Sequence, residues 1–163
     1  MLTFEQMALR LIVALALGAL IGLERELVGK YEAGIRTTML VCGGAAIFSV
    51  IAITLPYIVA LSPANLADVI ARNSGFLGVI ANIVVGIGFL GAGIILKTSG
   101  HVRGLTTAAD VWLAAAIGTL VGIGLFQFAI VSAVLITGLL YLLRKVKLYE
   151  HVRPDNITED DAE

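Results

Sequence analysis

Residues 108–143 read AADVWLAAAIGTLVGIGLFQFAIVSAVLITGLLYLL, an apolar run of 36 residues in which Asp110 carries the only charge. As a single helix at 1.5 Å per residue, this run would be about 54 Å long, nearly twice the ~30 Å hydrocarbon core of a bilayer. It must therefore turn back on itself, and the pair Gly122 and Gly124 marks the most favourable place. The sequence predicts one helix over residues 108–121 and a second over residues 125–143.

The scarcity of charge extends far beyond this run. Of the 163 residues, 59% are apolar and 14% are charged, and the mean hydropathy is +1.00. A soluble domain carries about 25% charged residues, so this chain has too few to coat a soluble globule. The composition predicts an integral membrane protein and excludes a disordered chain. The single Cys42 excludes an internal disulfide framework, and the net charge of −1 gives no reason to expect a nucleic-acid partner.

Three further apolar segments are long enough to cross a bilayer, over residues 7–23, 38–61 and 76–96. The predicted fold class is therefore all-α, with five transmembrane helices in residues 1–148 and a short acidic tail in residues 149–163. Lys and Arg are enriched in cytoplasmic loops, so the amino terminus is predicted outside and the carboxyl terminus in the cytoplasm. An arrangement with four spans would instead place the three basic residues Arg144, Lys145 and Lys147 outside the cell, against this rule. Between the second and third spans, Ser62 and Pro63 predict the start of a short interfacial helix that ends at residues 73–75.

Small residues spaced four apart predict the faces through which the helices pack, because close approach in lipid depends on them. Such rows include polar members, which are expected to point toward protein rather than lipid. The same rows could pack within one chain or between copies in a homo-oligomer. The members are Arg10, Ala14, Gly18, Gly22 and Glu26 in the first span, Gly78, Asn82 and Gly86 in the third, and Asp110, Ala114, Gly118 and Gly122 in the fourth.

The densest glycine segment is GIGFLGAG at residues 86–93, which contains Gly86, Gly88, Gly91 and Gly93. Its first six residues fit a dinucleotide-binding fingerprint, but that motif works as a turn between a strand and a helix, and no such unit surrounds it. Several glycines in one span predict either a locally unwound helix or a helix crossed tightly by a neighbour. Irregular backbone at this depth would also suit a cavity or an ion path.

Charged and hydroxyl side chains gather at the predicted cytoplasmic rim: Glu24, Arg25, Glu26, Arg36, Arg103, Thr106, Thr107 and Asp110. Acid and base are nearly balanced there, so a network of paired charges is the main interpretation. Thr106 or Thr107 is expected to cap the fourth span, with Asp110 in its first turn. The alternative is that Glu24, Glu26 and Asp110 bind Mg²⁺, an ion that is usually held by one or two carboxylates.

Four ordered blocks closely resemble the membrane domain of the bacterial MgtC/SapB family. They are IGLERE at 21–26, AGIRT at 33–37, GIGFLGAG at 86–93, and VRGLTTAA at 102–109 followed by Trp112. The chain departs from the family pattern in three ways. Many members carry a soluble carboxyl-terminal domain, which we do not expect within residues 1–163; Thr38 stands where a His is common, and Gly78 stands where a basic residue is common.

The resemblance implies a multi-pass protein of the bacterial inner membrane that takes part in adaptation to low Mg²⁺, acid or intracellular survival. It further implies a non-enzymatic regulator that binds other membrane machinery such as the ATP synthase. No cofactor is expected, apart from the Mg²⁺ ion of the alternative given above for the rim carboxylates. The alternatives are a cation transporter or channel, using the glycine-rich span and the rim carboxylates, and a purely structural oligomer. By match to the blocks, the functionally sensitive positions are Glu24, Arg25, Arg36, Gly88, Gly91, Arg103, Thr106 and Thr107.

Overall fold

The structure, a computed structural model, describes residues 2–27, 33–60, 63–72, 75–98 and 101–145. The predicted Ser62 cap, the helix end at residues 73–74 and the acidic tail over residues 149–163 lie outside these ranges. The described residues form six helices and one two-stranded antiparallel hairpin. The elements in chain order are α1 (Phe4–Leu27), α2 (Ile35–Val59), α3 (Pro63–Arg72), α4 (Gly75–Ile94), β1 (Leu96–Thr98), β2 (His101–Arg103), α5 (Leu105–Ile123) and α6 (Phe126–Lys145).

The chain is an all-α membrane protein apart from the hairpin. Four helices, α1, α2, α5 and α6, are long and apolar enough to cross a bilayer, and α4 contributes a shorter apolar stretch over Gly78–Ile94. The short helix α3 is the amphipathic segment that the sequence predicts between the second and third spans. The hairpin joins α4 to α5 and pairs Leu96 with Arg103; no sequence pattern predicted it.

Helix α2 lies between α1 and α5, and these three helices enclose most of the core. The core is made of small and branched side chains, because bulky ones would hold the backbones apart. Of the α6 side chains that the structure describes for burial, Ala129 and Ala133 belong to it. The buried cluster consists of Ala14, Leu17, Ile21, Cys42, Ala46, Ala114, Ile117, Val121, Ala129 and Ala133.

Glycines on α1 and α5 bring both helices into backbone contact with α2. A Cβ atom at Gly18 would lie 2.7 Å from the Thr38 carbonyl oxygen, and one at Gly122 would lie 2.7 Å from that of Ala46. Gly118 faces the backbone of Cys42 in the same way. Real Cβ atoms do not approach other atoms so closely, so the small-residue rows of α1 and α5 face α2 at positions where only glycine fits.

Helix α5 begins earlier than the sequence predicts. Its N-cap is Gly104, with φ at 85°, and no side chain caps it. Thr106 and Thr107 lie inside the helix, so the prediction that one of them is the cap is wrong, and Asp110 falls beyond the first turn. A Cβ atom at Gly104 would overlap the carbonyl of Ile94 at the end of α4. The left-handed glycine therefore allows the hairpin to fold back tightly between the two helices.

The break between α5 and α6 falls at the predicted glycine pair. Helix α5 ends at Ile123, and Gly124 takes a left-handed conformation with φ at 96°. Arg10 of α1 secures this turn, because its Nη1 donates a hydrogen bond of 2.5 Å to the carbonyl oxygen of Gly122. The guanidinium also lies 6.0 Å from the ring centre of Phe126. A cation at the carbonyl end of α5 also interacts favourably with the helix dipole.

Candidate functional site

Three charged side chains meet inside the protein where α1 ends and α5 begins. The Nε atom of Arg25 lies 2.9 Å from Oε2 of Glu24 and 2.5 Å from Oδ2 of Asp110. Glu24 is 7% exposed, Arg25 is 5% exposed and Asp110 is 4% exposed. We refer to Glu24, Arg25 and Asp110 as the buried charge cluster. It joins α1 to α5 through residues that are more than 80 positions apart in sequence.

The buried charge cluster is electrostatically unusual because two carboxylates share one guanidinium. Arg25 follows Glu24 directly in α1, so the two side chains leave the helix about 100° apart and can flank the α5 residue Asp110. Removing charges from water is costly unless they are paired, and the guanidinium offsets part of that cost for both acids. The cluster thereby couples the end of α1 to the second turn of α5.

Two buried threonines lie at the same end of the bundle. Thr38 is fully buried. Its hydroxyl can donate a hydrogen bond to the carbonyl oxygen of Ile35, at 3.1 Å, or to that of Gly34, at 3.2 Å. Thr107 is 1% exposed, whereas Thr106 is half-buried. Gly22 admits Thr38 against α1. The structure thus places Thr38, one of the departures from the family pattern, in a tight α1–α2 contact.

The other rim residues lie outside this cluster. Glu26, Arg36 and Arg103 are exposed, and the Glu26 carboxylate lies beside Gly34. Among the described residues, no group of three His, Cys, Asp or Glu side chains could hold a metal ion. Glu24 and Asp110 contact Arg25, while Glu26 points elsewhere, so the structure does not bring the three predicted Mg²⁺ ligands together.

The glycine-rich segment is a regular part of α4 and is not unwound. Gly91 is buried and faces Ala108 of α5, at 3.6 Å from the position of its missing Cβ atom. Gly86, Gly88 and Gly93 face open space, with no atom within 4 Å of that position. The dinucleotide-binding fingerprint therefore lies inside a helix and does not form the strand-to-helix turn that such a motif requires. No neighbour within the described chain crosses α4 tightly at these three glycines.

The third-span row Gly78, Asn82 and Gly86 is not in close contact with another helix of the described chain, and Asn82 and Gly86 border an opening between α4 and α2. Asn82 is exposed, and a Cβ atom added at Gly78 or Gly86 would have no neighbour within 4 Å. The described chain therefore gives this row no packing partner of its own, and packing between copies stays a prediction. Gly91 and Asn82 are nine residues apart, about 900° of rotation, so they lie on opposite faces of α4.

A groove of about 490 Å³ runs between α2 and α4. We call it the α2–α4 groove. Its lining is apolar except for Asn82. Each wall includes one glycine, Gly44 on α2 and Gly86 on α4, where no side chain narrows the groove. The lining residues are Leu40, Val41, Gly44, Ala45, Phe48, Val79, Asn82, Ile83, Gly86 and Ile87. Sequence reasoning missed this groove, although the adjacent pair Gly43 and Gly44 was a signal: Gly43 packs on Leu15 and Gly44 is open.

Comparison with known proteins connects this geometry to a family. The family model described as "MgtC family" matches residues 11–149. The chain belongs to the MgtC family. The MgtC-family blocks at 21–26, 33–37 and 102–109 meet at one end of the bundle, where the buried charge cluster lies, and the block at 86–93 ends beside them in α4.

The chain is also similar to individual MgtC-family relatives. It is 42% identical to Protein MgtC of Salmonella typhimurium over 137 residues, which cover 84% of this chain and 52% of the relative. It is 44% identical to Protein MgtC of Brucella abortus over 131 residues, covering 80% and 48%. An uncharacterized protein of Synechocystis is 35% identical over 156 residues, covering 96% and 60%. The chain thus spans about half the length of the MgtC proteins it matches, and no solved structure matches it.

Proposed function

We propose that this chain is a non-enzymatic regulator of the bacterial inner membrane that acts by binding another membrane protein during adaptation to low Mg²⁺ or acid. The observation that supports binding is the open outer face of α6. Of its side chains described for burial, only Ala129 and Ala133 are buried. The charges at the other site of interest, the buried charge cluster, are paired with one another. The outer face of α6 is therefore a surface that remains available to a partner.

The two faces of α6 differ clearly. Ala129 and Ala133 lie on the side that meets the core, whereas Val131, Leu135 and Gly138 lie on nearly the opposite side at about 100° per residue. Leu135 is 65% exposed, and Gly138 has no atom within 4 Å of a Cβ position. A glycine notch beside branched side chains lets a foreign transmembrane helix approach closely. The family resemblance points to a multi-subunit partner such as the ATP synthase.

Copurification from native membranes tests this function. We expect a stoichiometric membrane-protein partner with the unmodified chain, and about tenfold less of it with Gly138→Leu, which fills the notch. The matched control Ile12→Phe enlarges a lipid-facing side chain of α1, which is 63% exposed, and should retain the partner. Adding or removing Mg²⁺ during purification would show whether the ion modulates binding.

A transport measurement could give the result that contradicts this proposal. If the purified chain carried cations into liposomes and no variant altered any copurifying protein, the regulator proposal would fail and a transporter would replace it. Glu24, Glu26 and Asp110 as Mg²⁺ ligands stay a prediction that belongs to that alternative.

The proposed topology has five spans, with the amino terminus outside and the carboxyl terminus in the cytoplasm. Helix α4, at 20 residues, would be about 30 Å long, enough for one crossing. With five crossings, the basic residues Arg36, Lys97, Arg103 and Lys145 all fall at the end of the bundle that holds the hairpin.

A reporter fused after Lys145 tests this arrangement. We expect cytoplasmic reporter activity there and activity on the outer side for a fusion before Phe4. A carboxyl-terminal reporter on the outer side would mean that α4 does not span the membrane. A fusion within residues 60–62, between α2 and α3, serves as the outside control.

A further inference from the structure

Asn82 is a polar side chain on the open face of a membrane helix. It is exposed, and it makes no hydrogen bond with any residue that the structure describes. It is the eighth residue of α4, so it lies about 10 Å from the start of that helix and within the apolar stretch Gly78–Ile94. In the proposed five-span topology, lipid offers no hydrogen-bond partner at this depth, so the carboxamide requires one from another protein.

The surroundings of Asn82 suit a closely approaching helix. Gly78 precedes it by four residues and Gly86 follows it by four, and neither has an atom within 4 Å of its Cβ position. Across the α2–α4 groove, Gly44 is equally open. The helix surface next to the amide is therefore bare backbone, which is the arrangement that permits tight helix pairing in membranes.

Large apolar side chains border the same face. Phe89 is 85% exposed and Val85 is 71% exposed, and both lie within about 60° of Asn82 around α4. The opposite face, at Gly91, is already occupied by α5. Helix α4 is thus held by the bundle on one side and presents a polar centre with glycine and apolar flanks on the other.

We propose that a second copy of this chain docks on this surface, with α4 of one protomer packed against α4 of the other and the two Asn82 carboxamides hydrogen-bonded across a twofold axis. A carboxamide carries both a donor and an acceptor, so one asparagine satisfies an identical one. In a twofold interface the same patch faces itself. The self-complementary amide therefore selects a copy of the chain as the occupant. A lipid acyl chain would fill the groove but leave the amide unsatisfied.

This interface is separate from the proposed regulatory surface on α6. It can be measured as energy transfer between donor-labelled and acceptor-labelled full chains in phosphatidylethanolamine and phosphatidylglycerol vesicles across a series of protein-to-lipid ratios. The unmodified chain should self-associate. Asn82→Leu, which is close in size but cannot form hydrogen bonds, should weaken association about tenfold. Asn82→Gln should preserve it, because the carboxamide is retained.

Gly86→Leu should abolish self-association by filling the contact surface. Gly138→Leu, at an equally open glycine on α6, is the matched control and should leave it unchanged. Asn82 is exposed, and Gly86 has no atom of the described chain within 4 Å of its Cβ position, so their variants should keep the helical circular dichroism and melting of the unmodified protein.

Equal association of Asn82→Leu and the unmodified chain would overturn the proposal. A monomer at every protein-to-lipid ratio would overturn it as well, as would a loss with Gly138→Leu as large as that with Gly86→Leu. Failure of the α6 proposal is distinguishable, because it would abolish the effect of Gly138→Leu on copurification without changing energy transfer.

Discussion

Replacing Arg25 by methionine should destabilise the bundle by about 3–5 kcal/mol, the range for removing one partner of a buried ion pair. The guanidinium contacts the carboxylates of Glu24 and Asp110, and all three side chains are at least nine-tenths buried. Methionine fills a similar volume without charge, so the loss would report electrostatics rather than a cavity. The free energy of unfolding can be measured by denaturant titration in mixed micelles, followed by circular dichroism.

Two comparisons make the Arg25 experiment specific. Arg36→Met removes an exposed arginine at the same end of the bundle and should change the unfolding free energy by less than about 0.5 kcal/mol. Adding Glu24→Gln and Asp110→Asn to Arg25→Met should restore much of the loss, because no buried charge then lacks its counter-charge. If Arg25→Met lowered the free energy of unfolding by no more than Arg36→Met does, the ion pairs would not hold α1 to α5.

The sequence predicted the apolar helices and the α5–α6 break because length and charge scarcity leave few alternatives in a bilayer. It missed the hairpin, since strands of three residues are too short to show a periodic pattern. It also misplaced the start of α5. Thr106 and Thr107 are good capping residues, but the left-handed Gly104 begins the helix before either is reached.

The sequence drew attention to the buried charge cluster because charges are rare in this chain, but it could not separate Glu24 from Glu26. These residues are two positions apart, about 200° around α1, so only one of them can face α5. The orientation of α4 was equally undetermined. Glycines lie on both of its faces, and contact with Ala108 selects the face of Gly91 and turns Asn82 away from α5. Such choices depend on which neighbour a helix meets, and local pattern does not contain that information.

Replacing Gly118 by alanine should destabilise the bundle by about 1–3 kcal/mol, the usual cost of overpacking. The new Cβ atom would fall 2.9 Å from the Cα atom of Cys42 and closer still to its carbonyl oxygen. These are backbone atoms, so no side-chain rotation relieves the overlap, and α5 must move away from α2. One turn further along, Gly122 is packed against the Ala46 carbonyl in the same interface, so displacement at one glycine disturbs the other.

The sign of the Gly118→Ala effect is informative because alanine is intrinsically the better helix former, by about 1 kcal/mol. Gly138→Ala on α6 adds the same methyl group where no atom lies within 4 Å, so it should leave stability unchanged or raise it by up to about 1 kcal/mol. Unfolding of the two variants in the same micelles would compare them directly. Stabilisation by both substitutions would mean that α2 and α5 are not in backbone contact at Gly118. Opposite signs would establish that this contact, and not helix propensity, decides which glycines the bundle requires.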